Sequence, residues 1–316
     1  MNATDTQRLD DAARAGWLYY VARRTQDEIA RELGISRQKA QRLVALAATA
    51  GLVKVRLEHP IARCMELAAR LRDRWGLRLA EVAPTDRAAP ALLAGVAAAA
   101  GAEMERVLAD PEPRIVALGT GRALTAAVGH VARMEAPHHR VVSLLGNMML
   151  DGSASPFGAT VRLAERTGAR HYPMALPVLA EDAAEVAALH AQRPVASTLE
   201  LCRRADAVFV GVAGMGRDAP LVVDGFVPPA EMDALLAEGA VGEIIGRAFD
   251  RHGRVLDGGL NARVTGARID GEALSRPVVA VAHGAQKVRA IAAALDGRLV
   301  NGLVTDEATA EALLAP

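Results

Sequence analysis

Two groups of residues in this 316-residue chain have types and spacing suited to recognition chemistry. The first is the basic and amide-bearing run Arg37, Gln38, Lys39, Gln41 and Arg42, in SRQKAQRLVALAATAG, which holds no acid up to Gly51. Arg and Gln hydrogen-bond guanine and adenine edges in the major groove, and Arg and Lys also grip phosphates. The second is a set of glycine-bearing loops, each following a short apolar run: Gly119-Thr120-Gly121-Arg122, Gly146-Asn147, Ala213-Gly214-Met215-Gly216 and Ala282-His283-Gly284. Gly119 and Gly121 let backbone N–H groups approach an anion at a helix start, where Thr120 adds a hydroxyl and Arg122 a charge. Lys287 follows the last of these loops, in a chain with no other lysine beyond Lys54. The helix dipole disfavours a cation in a first turn, so a lysine there points to an anion or a sugar hydroxyl. The carboxylates Glu243, Asp257, Asp306 and Glu307 can accept hydrogen bonds from sugar hydroxyls, although Asp306 and Glu307 suit a helix first turn equally well. His130, His138, His139 and His171 show no metal-ligand spacing.

The elements that must carry the basic run are two short helices over residues 25–53. Thr25 suits an N-cap, Gln26-Asp27-Glu28 put acids in the first turn, and Ile29, Ala30 and Leu33 share one face. Gly34 ends the first helix, and Ser36 caps a second that presents the basic run outward while Leu43, Val44 and Leu46 face a core. That is a helix-turn-helix layout with residues 36–49 as recognition helix; the alternative is an ordinary helical hairpin with solvated charges. A helix over 8–23, with Leu9, Ala13, Trp17 and Tyr20 or Val21 on one face, would complete a three-helix core. Residues 52–57 alternate apolar and basic, a strand signature that places Lys54 and Arg56 on one face. Such a strand suits a DNA-binding wing, or equally a short edge strand with solubilising charges. After His59-Pro60, apolar residues at Ile61, Cys64, Leu67, Ala68, Leu71 and Trp75 recur about every 3.5 positions, as in helices that pair with a second subunit. Packing on its own domain is the alternative.

From residue 77 the pattern changes. Short, nearly all-apolar runs at 77–82, 115–118, 141–145, 208–212, 278–281 and 299–304 alternate with helical stretches at 88–108, 123–134, 159–167, 182–192, 285–295 and 306–314. Strands buried on both faces and alternating with helices predict an α/β fold with a mostly parallel sheet, whose ligands gather beyond the carboxyl ends of the strands. The zero net charge hides an asymmetry: residues 1–78 carry 15 Lys and Arg against 9 Asp and Glu, and the remainder 22 against 28. A basic head on an acidic body fits nucleic-acid contact by one end only. Aromatic residues, at 3%, are too scarce for a base-stacking platform. Cys64 and Cys202 lie too far apart in sequence for a disulfide framework and fit reduced, buried thiols. No apolar leader or spanning segment is visible, so a cytoplasmic protein without membrane contact is expected, and no metal or other cofactor is expected.

Several motifs, in order, carry a resemblance over nearly the whole chain: TQDEIARELGISRQKAQRLVALAATAGLVKVRLEHP, VALGTGRAL, LLGNMM, FVGVAGMG, VGEIIGRAFDRHGRVLDGG and VAVAHGAQKVRAIAAALDGRLVNGLVTDEATAEALL. The chain resembles the SorC-type sugar-binding transcriptional regulators of bacteria. The resemblance implies a winged helix-turn-helix over residues 1–58, a linker and oligomerisation helix over 59–76, and an effector domain over 77–316. That domain would be similar in fold to sugar-phosphate isomerases, glucosamine-phosphate deaminases and CoA-transferases. It implies a phosphorylated sugar or polyol as effector and a dimer or tetramer on double-stranded operator DNA. By position, the 119–122 loop takes the phosphate, Lys287 and Glu243 contact the sugar, and the 214–216 loop and Asp306 close the site, with Asn147 and Asp257 as further candidates. Thr25 and Gln26 join the recognition helix, Lys54 and Arg56 as expected DNA contacts. The rival is a sugar-phosphate isomerase or deaminase using Asp257, Asp306 or Glu307 as general base. The sequence fixes no acid–base pair for it, and a non-enzyme is expected.

Overall fold

A computed structural model describes residues 3–53, 61–86, 88–89, 93–149, 152–155, 157–269 and 275–315. The chain divides into two units, residues 1–59 and 60–316. The smaller contains α1 (Ala3–Tyr20), α2 (Gln26–Glu32) and α3 (Arg37–Thr49). Its core joins Ala12, Ala15 and Leu18 of α1 to Ile29 and Ala30 of α2 and to Ala40, Leu43, Val44 and Ala47 of α3. The buried face of α1 is therefore not the one its large residues suggested, since Trp17 and Val21 are 55% and 61% exposed. The cause is close approach: a β-carbon on Gly16 would lie 2.7 Å from both Ala47 Cβ and Val53 Cγ2. A seam that tight admits alanine and rejects tryptophan. The expected wing residues Lys54 and Arg56 lie outside the described residues.

The larger unit runs α4 (Ala62–Trp75), β1 (Leu79–Ala83), α5 (Ala94–Leu108), β2 (Ile115–Leu118), α6 (Arg122–His130), β3 (Arg140–Ser143), α7 (Ala159–Thr167), β4 (Arg170–Tyr172), α8 (Ala183–His190), α9 (Arg193–Arg203), β5 (Ala207–Val210), β6 (Ala213–Gly214), α10 (Pro220–Val223), α11 (Pro229–Ala237), β7 (Ala240–Ile244), β8 (Arg247–Asp250), α12 (Gly259–Arg263), β9 (Val278–Val281), α13 (Val288–Asp296), β10 (Gly302–Asp306) and α14 (Glu307–Leu314). Seven strands form a parallel sheet in the order β1-β10-β9-β5-β2-β3-β4. Helices α4, α9, α13 and α14 bury one face of it and α5, α6 and α7 the other, which is why these strands read as almost unbroken apolar runs.

Helix α4 corrects an expectation. Its stripe of Cys64, Leu67, Ala68 and Leu71 is buried against β1 and α14 of the same unit, so that face is not free to pair with a second subunit. Arg63 reaches Glu311 at 2.9 Å and the Trp75 indole donates to Asp296 at 2.7 Å, fixing α4 to its own domain. Both cysteines are buried free thiols. No described helix is long and apolar enough to cross a membrane.

The strand order reverses between β2 and β5. From β2 the sheet grows through β3 to β4; from β5 it grows through β9 and β10 to β1. Loops leaving two adjacent strands in opposite directions open a crevice at their carboxyl ends. A second, antiparallel sheet of β6, β7 and β8 stands beside that crevice and supplies one wall.

Candidate functional site

In the smaller unit, local chemistry sets α2 and α3. The Thr25 hydroxyl accepts from the Glu28 N–H while Glu28 accepts from the Thr25 N–H at 2.8 Å, a reciprocal capping box. Gly34 turns at φ +63°, and Ser36 caps α3 by accepting from the Lys39 N–H at 3.2 Å. Burying Ala40, Leu43, Val44 and Ala47 leaves Arg37, Gln38, Lys39, Gln41 and Arg42 exposed on the opposite side. Arg37 lies 3.5 Å from Asp27, and Arg42 donates to Gln38 at 3.1 Å, which orients these ends without burying them. Thr25 is also exposed, whereas Gln26 is partly buried.

In the larger unit, a cavity of about 320 Å³ sits at the reversal between β2 and β5, a size suited to a small ligand. Thr120, Gly121 and Arg122 line it after β2, Gly211, Val212 and Ala213 after β5, and Glu243, Ile245 and Gly246 at the β7–β8 hairpin. Gly121 has φ +118°, a conformation that glycine alone adopts readily, and it opens α6 toward the cavity. In the hairpin turn both Ile245, at φ +47°, and Gly246, at φ +80°, are left-handed. A β-branched residue there is strained, and its apolar side chain forms cavity wall.

Glu243 and Lys287 bring the chemistry. The Glu243 carboxylate accepts from the Gly246 N–H at 2.8 Å. It is partly buried and lines the cavity, and burial pushes its pKa up to about 7, against the opposing pull of that N–H and of the Lys287 charge. Lys287 ends the 3-10 turn Ala285–Lys287 that precedes α13. Burial lowers its pKa, the nearby Glu243 resists this, and Arg122 adds to it. Among the described residues no hydrogen bond or ion pair holds its ammonium. Near neutral pH the cavity thus offers a carboxyl that can either donate or accept, beside an amine without an acceptor. Both suit hydroxyl-rich ligands.

The remaining predicted residues lie elsewhere. Gly119 packs under the loop, where a β-carbon would meet Ile245 Cγ2 at 3.2 Å. Asn147 is exposed and does not line the cavity. Gly214 belongs to β6, close against the backbone of Gln286, and neither it nor Gly216 lines the cavity. Asp306 is turned inward, away from the expected role in closing the site. Its carboxylate accepts from the Thr309 N–H at 3.0 Å as cap of α14, and lies 3.7 Å from the His283 ring. Burial would raise its pKa, but His283, Thr309 and Thr85 outweigh burial and hold it well below the usual carboxylate range. Asp257 lines a separate depression with Arg247 and Arg268. Sequence reasoning missed Phe157, Asp224 and Phe226, which also line the cavity. Arg122 stacks 5.2 Å from the Phe157 ring and binds Asp224 through two hydrogen bonds, of 2.6 and 3.1 Å.

Residues 59–315 match the family described as "Putative sugar-binding domain". The chain is 37% identical, over 96% of its own length and 96% of the relative's, to the erythritol catabolism regulatory protein EryD of Brucella abortus (strain 2308). It is 30% identical to the transcriptional regulator LsrR of Klebsiella pneumoniae subsp. pneumoniae, covering 96% of this chain and 92% of that one. In fold it is similar to the full-length sorbitol operon regulator SorC from Klebsiella pneumoniae, with a TM-score of 0.71 and 23% identity over 97% and 99% of the two chains.

Proposed function

Since the chain belongs to the SorC-type family of sugar-binding transcriptional regulators, we propose that a small phosphorylated sugar or polyol, bound in the β2–β5 cavity, sets its affinity for operator DNA. The observation that carries this reading is the placing together of Glu243 and Lys287 in a largely apolar pocket, where the Lys287 ammonium has no hydrogen bond or ion pair among the described residues. Thr120 and Arg122 supply the phosphate end, and Glu243 and Lys287 the hydroxyl end. The reading includes a winged head, with Arg37, Gln38, Lys39, Gln41, Arg42, Lys54 and Arg56 facing DNA, and a body of the isomerase and CoA-transferase type. One short recognition helix reads only a few base pairs, so the regulator acts as a dimer or tetramer on paired half-sites. That a relative is named for erythritol catabolism supports a polyol-class effector.

The effector acts by binding one arrangement of the regulator better than another, so effector and operator affinities are reciprocally coupled. A thermal-shift screen of sugars, polyols and their phosphates identifies candidates, since any ligand of the native state stabilises it. Lys287→Ala then keeps operator binding and loses the response to the compound found. A Lys287→Ala protein that still responds normally refutes the site. Turnover of any of these compounds by the wild-type protein would instead favour the isomerase or deaminase reading.

A further inference from the structure

The cavity's charges are matched in number: Arg122 faces Asp224, and Lys287 shares the pocket with Glu243. Arg122 stands at the rim, its side chain 57% exposed, while the Asp224 side chain is 12% exposed. The two-point contact is the geometry with which guanidinium groups also bind phosphate. The Phe157 ring lies 5.2 Å from the same guanidinium. Asp224 therefore occupies the face of Arg122 that an anionic ligand needs.

We infer that Asp224 is a specificity-determining residue: its carboxylate holds Arg122 through a two-point contact, and an anionic group of the effector binds by displacing it. This inference rests on the reading that Arg122 receives the ligand's phosphate. Binding is then an exchange of one anion for another, which discounts affinity for every anion and falls most heavily on those with a single point of attachment. A ligand succeeds by combining its phosphate with hydroxyl contacts at Glu243 and Lys287, so free phosphate and other simple anions are rejected. The exchange also releases a tether. Asp224 caps α10, whose backbone hydrogen bonds are local to residues 219–227, including Phe226 N–H and Val227 N–H to Leu221. Leu221 and Phe226 form cavity wall, so displacing Asp224 removes this segment's ion pair to α6 while Leu221 and Val227 stay packed with Leu145 and Val178.

The test uses the full-length protein and inorganic phosphate, titrated by isothermal calorimetry. Asp224→Asn keeps the shape and removes the competing charge. It is expected to bind phosphate about tenfold more tightly than wild type, equivalent to about 1.4 kcal/mol. Asp224→Glu, which restores the carboxylate, is expected to return toward wild-type affinity, and Arg122→Gln combined with Asp224→Asn to lose the gain. Equal affinity in wild type and Asp224→Asn overturns the inference. So does a gain that survives loss of Arg122, or no phosphate binding by Asp224→Asn up to about 50 mM, where even a millimolar complex would saturate. The parallel screen of sugars and polyols on wild type separates the two ideas. Ligands found there without any Asp224 effect refute the exchange alone, whereas the absence of any ligand refutes the cavity assignment.

Discussion

Glu243→Gln isolates the ionisation that makes the cavity unusual. The ordinary glutamate pKa of 4.5 is raised to about 7 in the folded protein. At 1.36 kcal/mol per unit, that displacement corresponds to roughly 3 kcal/mol. An acid whose folded pKa lies above its unfolded value gives a contribution that is complete below about pH 4.5 and lost as pH rises to about 7. Glutamine mimics the protonated form at every pH and can still accept from the Gly246 N–H. The two proteins should therefore be about equally stable near pH 4.5, with the variant gaining as pH rises. The attraction of Lys287 for the Glu243 carboxylate is already part of that value, so the variant's gain should approach roughly 3 kcal/mol by pH 8. Equilibrium urea unfolding, followed by Trp75 fluorescence in a Trp17→Phe background, reports on the larger unit because the chain's two tryptophans fall one in each unit. Other titrating groups are common to both proteins and cancel in the difference. A difference that stays flat from about pH 5 to pH 8 refutes the buried-carboxyl account.

Arg247 is 7% exposed and donates to the carbonyls of Asn261, Val264 and Gly266, while burial, with help from Arg268, lowers its pKa to about 10. Arg247→Met strands those carbonyls and should cost about 3 kcal/mol in urea unfolding; a cost below about 1 kcal/mol would show that they find other donors. Arg37→Ala combined with Gln38→Ala removes two exposed groups from α3. It should lower operator affinity by about 100-fold without moving the thermal midpoint, and unchanged operator binding in a gel-shift would refute α3 as the reading helix.

The parallel sheet was legible because burial on both faces leaves mostly apolar residues in its central strands: β2, α7 and β9 begin and end where the pattern does. The small antiparallel sheet was not. Its β6 has two residues, and β7 alternates buried and half-buried positions around Glu243. Likewise β4 is three residues long, none of them aliphatic. In the cavity, Thr120, Gly121, Arg122 and Lys287 were visible because glycine loops and a solitary lysine mark strand ends, and Glu243 as a carboxylate able to accept from sugar hydroxyls. Asp224 and Phe157 lie outside the glycine loops that follow the strands, and only the fold brings them to Arg122. Asp306 shows the reverse case: an acid opening a helix reads alike as ligand or cap, and here it caps. The stripe on α4 and the aromatic face of α1 misled for one reason, namely that apolar spacing reveals which residues can be buried but not against what.

The measurement that bears most directly on regulation by the cavity is a linked titration on the full-length protein. A DNA fragment selected from random sequence for tight binding is titrated with and without the compound that gives the largest thermal shift, and the compound is titrated with and without the DNA. Reciprocal coupling predicts that both affinities change by the same factor, on the order of 5- to 150-fold, and that the factor falls to one in Lys287→Ala. A compound that occupies the cavity yet leaves operator affinity unchanged would contradict the account.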